Sequence, residues 1–266
     1  LLLGFALPLN PNGTWYQQFF PNLNERVISD ITFIDSLNGF AVTKLSSAND
    51  TNYILKSTNS GDNWSIVYRQ YTYSVRPFNR VQFLNKDTGF VGGNRLLKTT
   101  NGGLNWTSLT LPSGTNTIGL HVLNEDTIWF ADDIPFDGGL FRSTNKGQNW
   151  DRQYDAGSAP NPDHVYMYNG RIGFMTRTGS GTYLYKTTNS GVNWFTIPGG
   201  VYSDIYFLDS LTGWKSDPTP PASMKKTTDG GLNWTNQILP VGGIILTSNI
   251  DRFNMLNKDT IWGAGG

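Results

Sequence analysis

Short apolar runs alternate with polar turns along the whole chain, and one hairpin pattern recurs six times. In each copy, two short strands with alternating apolar residues flank a turn bearing Asn, Asp, Ser or Gly, which is typical of a β-hairpin. The copies are ITFIDSLNGFAV (31–42), VQFLNKDTGFVGG (81–93), LHVLNEDTIWFAD (120–132), VYMYNGRIGFMT (165–176), IYFLDSLTGWKS (205–216) and RFNMLNKDTIWGAGG (252–266). No amphipathic helical stretch separates them, so the pattern predicts an all-β chain.

A second pattern, a nine-residue turn that ends in Trp, lies between these hairpins and recurs five times. The copies are KSTNSGDNW (56–64), KTTNGGLNW (98–106), RSTNKGQNW (142–150), KTTNSGVNW (186–194) and KTTDGGLNW (226–234). The Asn or Asp side chain can accept hydrogen bonds from the main chain ahead of it, and the Gly supplies a positive φ angle. The Trp then begins the next strand and buries a large apolar area.

These turn residues are therefore predicted to have a structural role, because their polar groups are used by the local main chain. They are Asn59, Gly61, Trp64, Asn101, Gly103, Trp106, Asn145, Gly147, Trp150, Asn189, Gly191, Trp194, Asp229, Gly231 and Trp234.

The spacing of the two patterns predicts the architecture. The five Trp residues lie 40 to 44 residues apart, which is the period of a four-stranded propeller blade. The last hairpin has no turn motif after it, whereas LNPNGTWYQQFFP (9–21) resembles a degenerate motif near the start of the chain. We therefore predict a single propeller domain over 1–266, with six four-stranded antiparallel blades and a ring closed by N- and C-terminal strands that share one blade. Seven blades are the alternative, if the protein extends beyond this segment.

Composition excludes some classes of partner and favours an extracytoplasmic location (periplasmic, cell-surface or secreted). Lys and Arg total 20 and Asp and Glu total 20, so no basic excess favours nucleic acid or an anionic membrane. There is no Cys, which excludes disulfides and thiolate metal sites. A polar surface with only 15% charged residues is compatible with an exported bacterial protein. The apolar run LLLGFAL (1–7) is too short to span a bilayer and is predicted to be a strand.

Few residues of the chain could form a catalytic or metal-binding site. A sialidase-like site needs an arginine cluster, a Tyr nucleophile with a Glu partner and an acid/base Asp, but the only Glu residues are Glu25 and Glu125. His121 and His164 are the only histidines, and His121 fits a satisfied structural role. Asp132 and Asp133 could offer oxygens to Ca²⁺, but the ligand spacing of a calcium loop is absent. No catalytic residue, metal site or cofactor is predicted.

The turns Ser/Thr-x-Asn/Asp-x-Gly-x-x-Trp resemble the Asp-box, or BNR, repeats. Together with the hairpin FLDSLTGW (207–214), they make the chain similar to the photosystem II stability and assembly factor-like propellers. This resemblance covers nearly the whole chain. It implies a propeller, seven-bladed in the typical relative, of a kind abundant among exported bacterial proteins.

A non-catalytic binding or assembly module is the predicted function. We expect it to contact a protein partner, for example a membrane or envelope complex, through the long, variable loops on one face. Tyr and Arg are enriched at interface hot spots, and the candidate partner-binding residues are Tyr71, Tyr73, Arg76, Asp132, Asp133 and Asp217. The alternatives are a glycan-binding or glycoside-hydrolase-like propeller of the sialidase or xyloglucanase type, and an adhesin-like domain of a larger surface protein.

Overall fold

The computed structural model describes most of the chain, and every regular element in the described part is a β-strand. The described residues are 2–5, 15–24, 26–44, 50–72, 77–112, 114–132, 134, 138–155, 161–177, 184–218, 223–237, 252–257 and 260–264. Within them, no helix is long and apolar enough to cross a membrane.

Five blades are each formed by four consecutive antiparallel strands. The first blade contains β3 (Val27–Phe33), β4 (Gly39–Lys44), β5 (Asp50–Ser57) and β6 (Ser65–Thr72). The second contains β7 (Arg80–Phe83), β8 (Gly89–Gly92), β9 (Leu96–Thr99) and β10 (Thr107–Leu109). The third contains β11 (Gly119–Val122), β12 (Ile128–Ala131), β13 (Gly139–Ser143) and β14 (Asp151–Asp155). The fourth contains β15 (Pro162–Met167), β16 (Gly173–Arg177), β17 (Leu184–Thr187) and β18 (Phe195–Ile197). The fifth contains β19 (Asp204–Phe207), β20 (Gly213–Asp217), β21 (Ser223–Thr227) and β22 (Thr235–Asn236).

A further four-stranded sheet, here called the closing sheet, joins the two ends of the chain. It contains β1 (Leu2–Phe5), β2 (Trp15–Gln18), β23 (Arg252–Asn257) and β24 (Thr260–Ala264) in the order β2-β1-β24-β23. Strand β1 pairs with β24 through Leu2↔Ala264 and Leu3↔Gly263.

The predicted blade count of six, with seven as the alternative, requires a correction. The blades formed from four consecutive strands number five, because the repeating unit of hairpin plus Trp turn is complete only five times. The remaining sheet is a composite of both chain ends, and the described residues contain no seventh sheet.

The first strands of the five blades and β23 of the closing sheet contact one another in sequence and surround a central channel. Apolar residues on the inner two or three strands fill the spaces between neighbouring sheets, as Phe40, Val81 and Val91 do between the first two blades. Aromatic stacking strengthens two of these interfaces: Phe40 stacks on Phe83 with ring centroids 3.8 Å apart, and Phe174 stacks on Phe207 at 4.5 Å.

Two faces of the ring differ in their connections. The hairpin turns after each first strand lie on the same face as the Trp turns, here called the turn face. The two sets are joined by main-chain hydrogen bonds, such as Gly102 N–H to the Asp87 carbonyl and Gly230 N–H to the Leu211 carbonyl, both 2.9 Å. The opposite face, here called the loop face, carries the strand ends that the remaining connections join, for example Lys44 and Asp50 in the first blade.

Candidate functional site

The side chains of each Trp turn are bonded within the turn. In the second blade, Thr99 Oγ1 donates to Asn101 Oδ1 at 3.0 Å and accepts from Gly103 N–H at 3.0 Å. Asn101 Oδ1 also accepts from Asn105 N–H at 2.9 Å. The same three bonds occur in the other four turns. The turn residues therefore act on their own main chain and offer little to a ligand.

Glycine is required in these turns by backbone geometry. Gly103 has a φ angle of 83°, and the equivalent glycines of the other blades have φ between 78° and 91°. The residue before each of them is also left-handed, and in three blades it is not glycine: Ser60, Lys146 and Ser190 have φ of 61°, 62° and 66°. The left-handed conformation is strained for these three residues. The N–H group of each donates to a carbonyl of the adjacent hairpin turn.

Four of the five Trp residues cover an aromatic residue of their own blade, and Trp194 instead packs against the buried cluster that contains Met167 and Met175. Trp106 meets Phe83 edge to face at 6.0 Å, and Trp234 meets Phe207 in the same way at 6.2 Å. The indole N–H of Trp150 donates to the Thr110 carbonyl at 2.9 Å. The Trp residues therefore stabilise the turn-face ends of the blades.

The first residue of the Trp turn has a role that the sequence reasoning missed. Lys186 Nζ donates to the Gly230 carbonyl in the turn of the next blade at 2.8 Å, and Lys56 Nζ donates to the Gly102 carbonyl at 3.0 Å. Each ammonium lies over an aromatic ring, Phe174 or Phe40, at 5.4 and 5.2 Å from the ring centroid. These lysines connect neighbouring blades. The signal was the basic residue that begins all five motif copies.

The central channel has a volume of about 550 Å³ and is lined by residues of all six inner strands. Polar side chains point toward it from two positions of each inner strand, except in the third blade, where one of the two positions is a glycine. The position at the loop-face end carries Asp30, Arg80, His164, Asp204 and Arg252, with Gly119 in the third blade. The position two residues further carries Thr32, Gln82, His121, Tyr166, Tyr206 and Asn254.

Most of these polar side chains bond the main chain of the neighbouring inner strand. Gln82 donates to the Val122 carbonyl at 2.7 Å and accepts from its N–H at 2.8 Å. Tyr166 is linked in the same way to the carbonyl and N–H of Phe207, at 3.3 and 2.9 Å. Asn254 accepts from Phe33 N–H at 3.0 Å. The channel wall is thus braced from strand to strand around the axis.

Charged groups brace the loop-face end of the channel. Arg80 lies between two carboxylates, 3.9 Å from Asp30 and 3.7 Å from Asp204. The second oxygen of each carboxylate accepts a main-chain N–H from the next strand, Val81 at 2.8 Å and Phe253 at 2.9 Å. Each acid therefore joins two sheets, and two carboxylates converge on one arginine.

Burial shifts the pKa of several channel groups. Burial raises the pKa of Asp30 to about 6, although the Arg80 guanidinium opposes the shift. Burial lowers the pKa of His121 to about 3, against the stabilising bond to the Met167 main chain. Burial likewise lowers the pKa of His164 to about 4. The neutral His164 ring can then accept from Arg252, 3.1 Å from its Nε2. The two histidines thus have structural partners.

The three predicted partner-binding residues that the structure describes lie in three different blades and are not brought together. Tyr71, at the loop-face end of β6, is 55% exposed. Asp132 is fully buried and accepts from Asn116 N–H at 2.9 Å. Asp217 is 5% exposed and pairs with Lys225 at 2.7 Å and Lys215 at 3.5 Å. Neither carboxylate is accessible to a partner in this structure, because each is used inside its own loop or blade.

The other three candidates, Tyr73, Arg76 and Asp133, lie outside the described residues. Within the described residues, no group of three His, Cys, Asp or Glu side chains is placed to hold a metal ion.

Lys215 is another buried charge that the sequence reasoning missed. Its ammonium is fully buried, lies 5.2 Å above the Trp234 ring, and donates to the carbonyls of Gly199 and Val201. Burial lowers the pKa of Lys215 to about 8, although Asp217 opposes the shift. The cluster fastens the loop before the fifth blade to that blade.

Comparisons with solved structures agree on the propeller architecture. A structure described as YCF48 bound to D1 peptide matches with 16% identity and a TM-score of 0.52, over 99% of both chains. A GH74 enzyme from Niastella koreensis matches with 17% identity and a TM-score of 0.63, over 90% of this chain but only 44% of the enzyme. A nidogen/laminin complex matches with 13% identity and a TM-score of 0.66, over 90% of this chain and 92% of that one. At these identities the likeness concerns the fold alone.

The family comparison goes further than the fold. No curated protein matches the chain. Residues 10–198, more than half of the chain, match the family described as photosynthesis system II assembly factor YCF48. This match contains four of the five Trp turns and confirms the resemblance to BNR-type propellers of that kind. The chain therefore belongs to the YCF48 family of photosynthesis system II assembly factors.

Proposed function

We propose that this protein is a non-catalytic scaffold that binds a segment of a protein partner on its loop face. The observation that carries the proposal is the use of the channel side chains. Asp30, Asp204, Gln82 and Tyr166 each bond the main chain of a neighbouring inner strand. These bonds make the ring a rigid support for the loops. The same side chains are not arranged as a nucleophile with a general acid or base.

Family membership supports the same function. The family is named for an assembly factor, and one YCF48 structure is described as bound to a D1 peptide. We infer that the partner of this chain is likewise a protein, within a membrane or envelope complex. We also propose a location outside the cytoplasm, with which a charged fraction of only 15% is compatible.

The glycan-active alternative has one observation in its favour, the convergence of Asp30 and Asp204 on Arg80. A pair of carboxylates flanking the scissile bond is the usual catalytic set in glycosidases. Here, however, each acid also accepts a main-chain N–H, so neither has its oxygens available in the way that a nucleophile or general acid needs. Binding is therefore the better supported function.

Site-specific photo-crosslinking tests which face binds the partner. A photoreactive phenylalanine analogue replaces exposed Arg95 or Tyr71 on the loop face, or exposed Leu104 or Val192 on the turn face. We expect one protein to be crosslinked from both loop-face positions in intact cells and from neither turn-face position. Crosslinks from the turn face alone would overturn the proposal, as would binding of the purified protein to a glycan array with hydrolysis of the bound glycan. Fractionation of the same cells tests the location.

A further inference from the structure

The outer strand of the first blade, β6, differs from the outer strands of the other blades in its length. It extends over eight residues, whereas β10, β14, β18 and β22 contain three, five, three and two residues. Short edge strands protect a sheet against pairing with other chains. The extra residues of β6 reach toward the loop face, where Tyr71 is exposed.

The exposed edge of β6 carries main-chain groups that point away from the blade. Tyr53 N–H on β5 donates to Thr43 Oγ1 on β4, so the main chain of Tyr53 faces β4. Its neighbours Asn52 and Ile54 therefore face β6, where they pair with Gln70 and Tyr68. Because N–H and C=O groups alternate between the two sides of a strand, the main-chain groups of the intervening Arg69 point outward. No described strand pairs with this edge.

A β-bulge interrupts the pairing of β6 with β5, but the half of β6 nearer the loop face pairs regularly. The register shifts between Ile54 and Leu55 of β5, so one residue of β6, Val67, lies outside the pairing. A bulge of this kind hinders pairing close to itself. From Tyr68 to Thr72 the pairing with β5 is continuous. A docking strand therefore has five regular residues to follow, next to the loops.

The side chains beside this edge are cationic and aromatic. Arg69 is exposed, and its guanidinium lies 5.8 Å from the centroid of the Tyr53 ring. Arg26 lies over the same ring at 4.7 Å and is fixed by a bond from its Nε to the Thr51 carbonyl at 2.7 Å. Among the described residues, no carboxylate lies within ion-pair distance of Arg69. The patch next to the edge therefore favours negative charge.

We propose that β6 is a docking strand, to which an extended segment of the protein partner adds along Tyr68–Thr72 with Asp or Glu side chains beside Arg69. The inference rests on the proposed binding function and specifies its mode, which is β-strand addition. Main-chain bonds to the outward groups of β6 supply the pairing, and alternate acidic side chains fall on the face that carries Arg69. A second copy of this chain fits less well, because its own Arg69 would approach the same cationic patch.

Peptide selection against the full chain tests the docking strand. Random twelve-residue peptides displayed on phage are selected on the purified protein, and the most enriched peptide is synthesised with a fluorescent label for anisotropy. We expect alternate acidic residues in the selected peptides. Arg69→Ala, which keeps the N–H group, should weaken binding by about two- to fivefold, the range for an exposed ion pair. Arg69→Pro, which also removes the outward donor, should weaken it by a further factor of about 2 to 10.

Matched controls and amide exchange keep the test specific. Arg171→Ala removes an exposed arginine on the turn face, away from β6, and should leave the affinity unchanged. Thermal unfolding of Arg69→Pro shows that the variant is folded, and hydrogen exchange should show that the peptide protects the Arg69 amide of the unmodified protein. Failure to select any peptide, equal binding to Arg69→Pro, or a dimer that Arg69→Pro abolishes would each overturn the docking strand. Crosslinking from Arg95 in cells would still support the loop-face function in those cases.

Discussion

At the scale of single residues, Gly103 shows how closely a Trp turn is fitted to the preceding blade. Its φ of 83° is accessible to other residues only at a cost. A Cβ atom at this position would lie 2.9 Å from Cε1 of Phe40, a fully buried ring that stacks on Phe83. The side chain could be accommodated only if two blades moved apart.

We therefore expect Gly103→Ala to reduce the free energy of unfolding by about 2–5 kcal/mol, the sum of left-handed strain and overpacking. Chemical denaturation followed by Trp fluorescence measures the change. Gly170→Ala is the control, because a Cβ there would meet only Leu123 at an ordinary 3.6 Å, and its effect should stay within about 0.5 kcal/mol. Similar losses in both variants would contradict the role given to the Trp turn.

Local chemistry explains why these turns could be predicted from the sequence alone. The hydrogen bonds of Thr99, Asn101 and Gly103 span at most four residues, so the motif contains all its own partners. The burial of Asp132 and Asp217 could not be predicted in this way. Their partners, such as Asn116 16 residues away and Lys225 on a neighbouring strand, are brought near only by the fold.

At the scale of elements, the lysine that begins a Trp turn contributes to the contact between blades. Lys186 connects β17 to the turn of the fifth blade through its 2.8 Å bond to the Gly230 carbonyl. Burial lowers the pKa of Lys186, with Asp229 opposing the shift. The side chain is only half-buried, so the bond is partly screened by water.

Replacing Lys186 with Met keeps the apolar stem over Phe174 and removes the ammonium donor. We expect a loss of about 1 kcal/mol in the free energy of unfolding, the typical net value of one hydrogen bond. Lys86→Met is the control, because that ammonium is 78% exposed and pairs only with the adjacent Asp87. Urea denaturation measures both losses. If Lys186→Met and Lys86→Met reduce the free energy of unfolding by the same amount, Lys186 does not stabilise the contact between blades.

The five blades are predicted by a local sequence repeat, whereas the closing sheet depends on pairing between the two ends of the chain. Each blade follows from a repeat in which hairpin, turn and outer strand are close in sequence. The closing sheet needs Leu2 to pair with Ala264. No local pattern encodes that pairing, but the incomplete repeats at the two ends of the chain predicted that terminal strands share one sheet. The long β6 was missed, because its extra pairs from Asn52↔Gln70 to Asp50↔Thr72 lie in a stretch that the repeats leave variable.

At the scale of the whole molecule, the channel determines how stability should depend on pH. The alternation of polar and apolar residues in the inner strands was visible in segments such as RVQF and HVYM (80–83 and 164–167). Their polar positions were interpreted only as one side of a hairpin. Which polar residue meets which main-chain group depends on the order of the strands around the axis, for example Gln82 with Val122.

Two histidines and one aspartate titrate differently in the folded and unfolded chain. The unfolded chain binds a proton on His121 and His164 near pH 6.5, whereas the folded protein binds them only near pH 3 and 4. Stability from these groups is present above pH 6.5 and is lost as the pH falls. Asp30 acts in the opposite direction, because its folded pKa of about 6 is above the unfolded value of 3.8. Stability from Asp30 is present at low pH and is lost as the pH rises through 6.

The net effect between pH 6 and 4.5 is an excess of about one proton bound by the unfolded chain, so the free energy of unfolding should fall by about 1.4 kcal/mol per pH unit on acidification. His121→Gln isolates one contribution. The amide can donate to the Met167 carbonyl as Gln82 does to Val122 at 2.7 Å in the second blade. We expect stability at pH 7.5 to change little and the acid slope to become nearly flat. Urea denaturation across this pH range measures both, and an unchanged slope would mean that His121 is protonated in the folded channel.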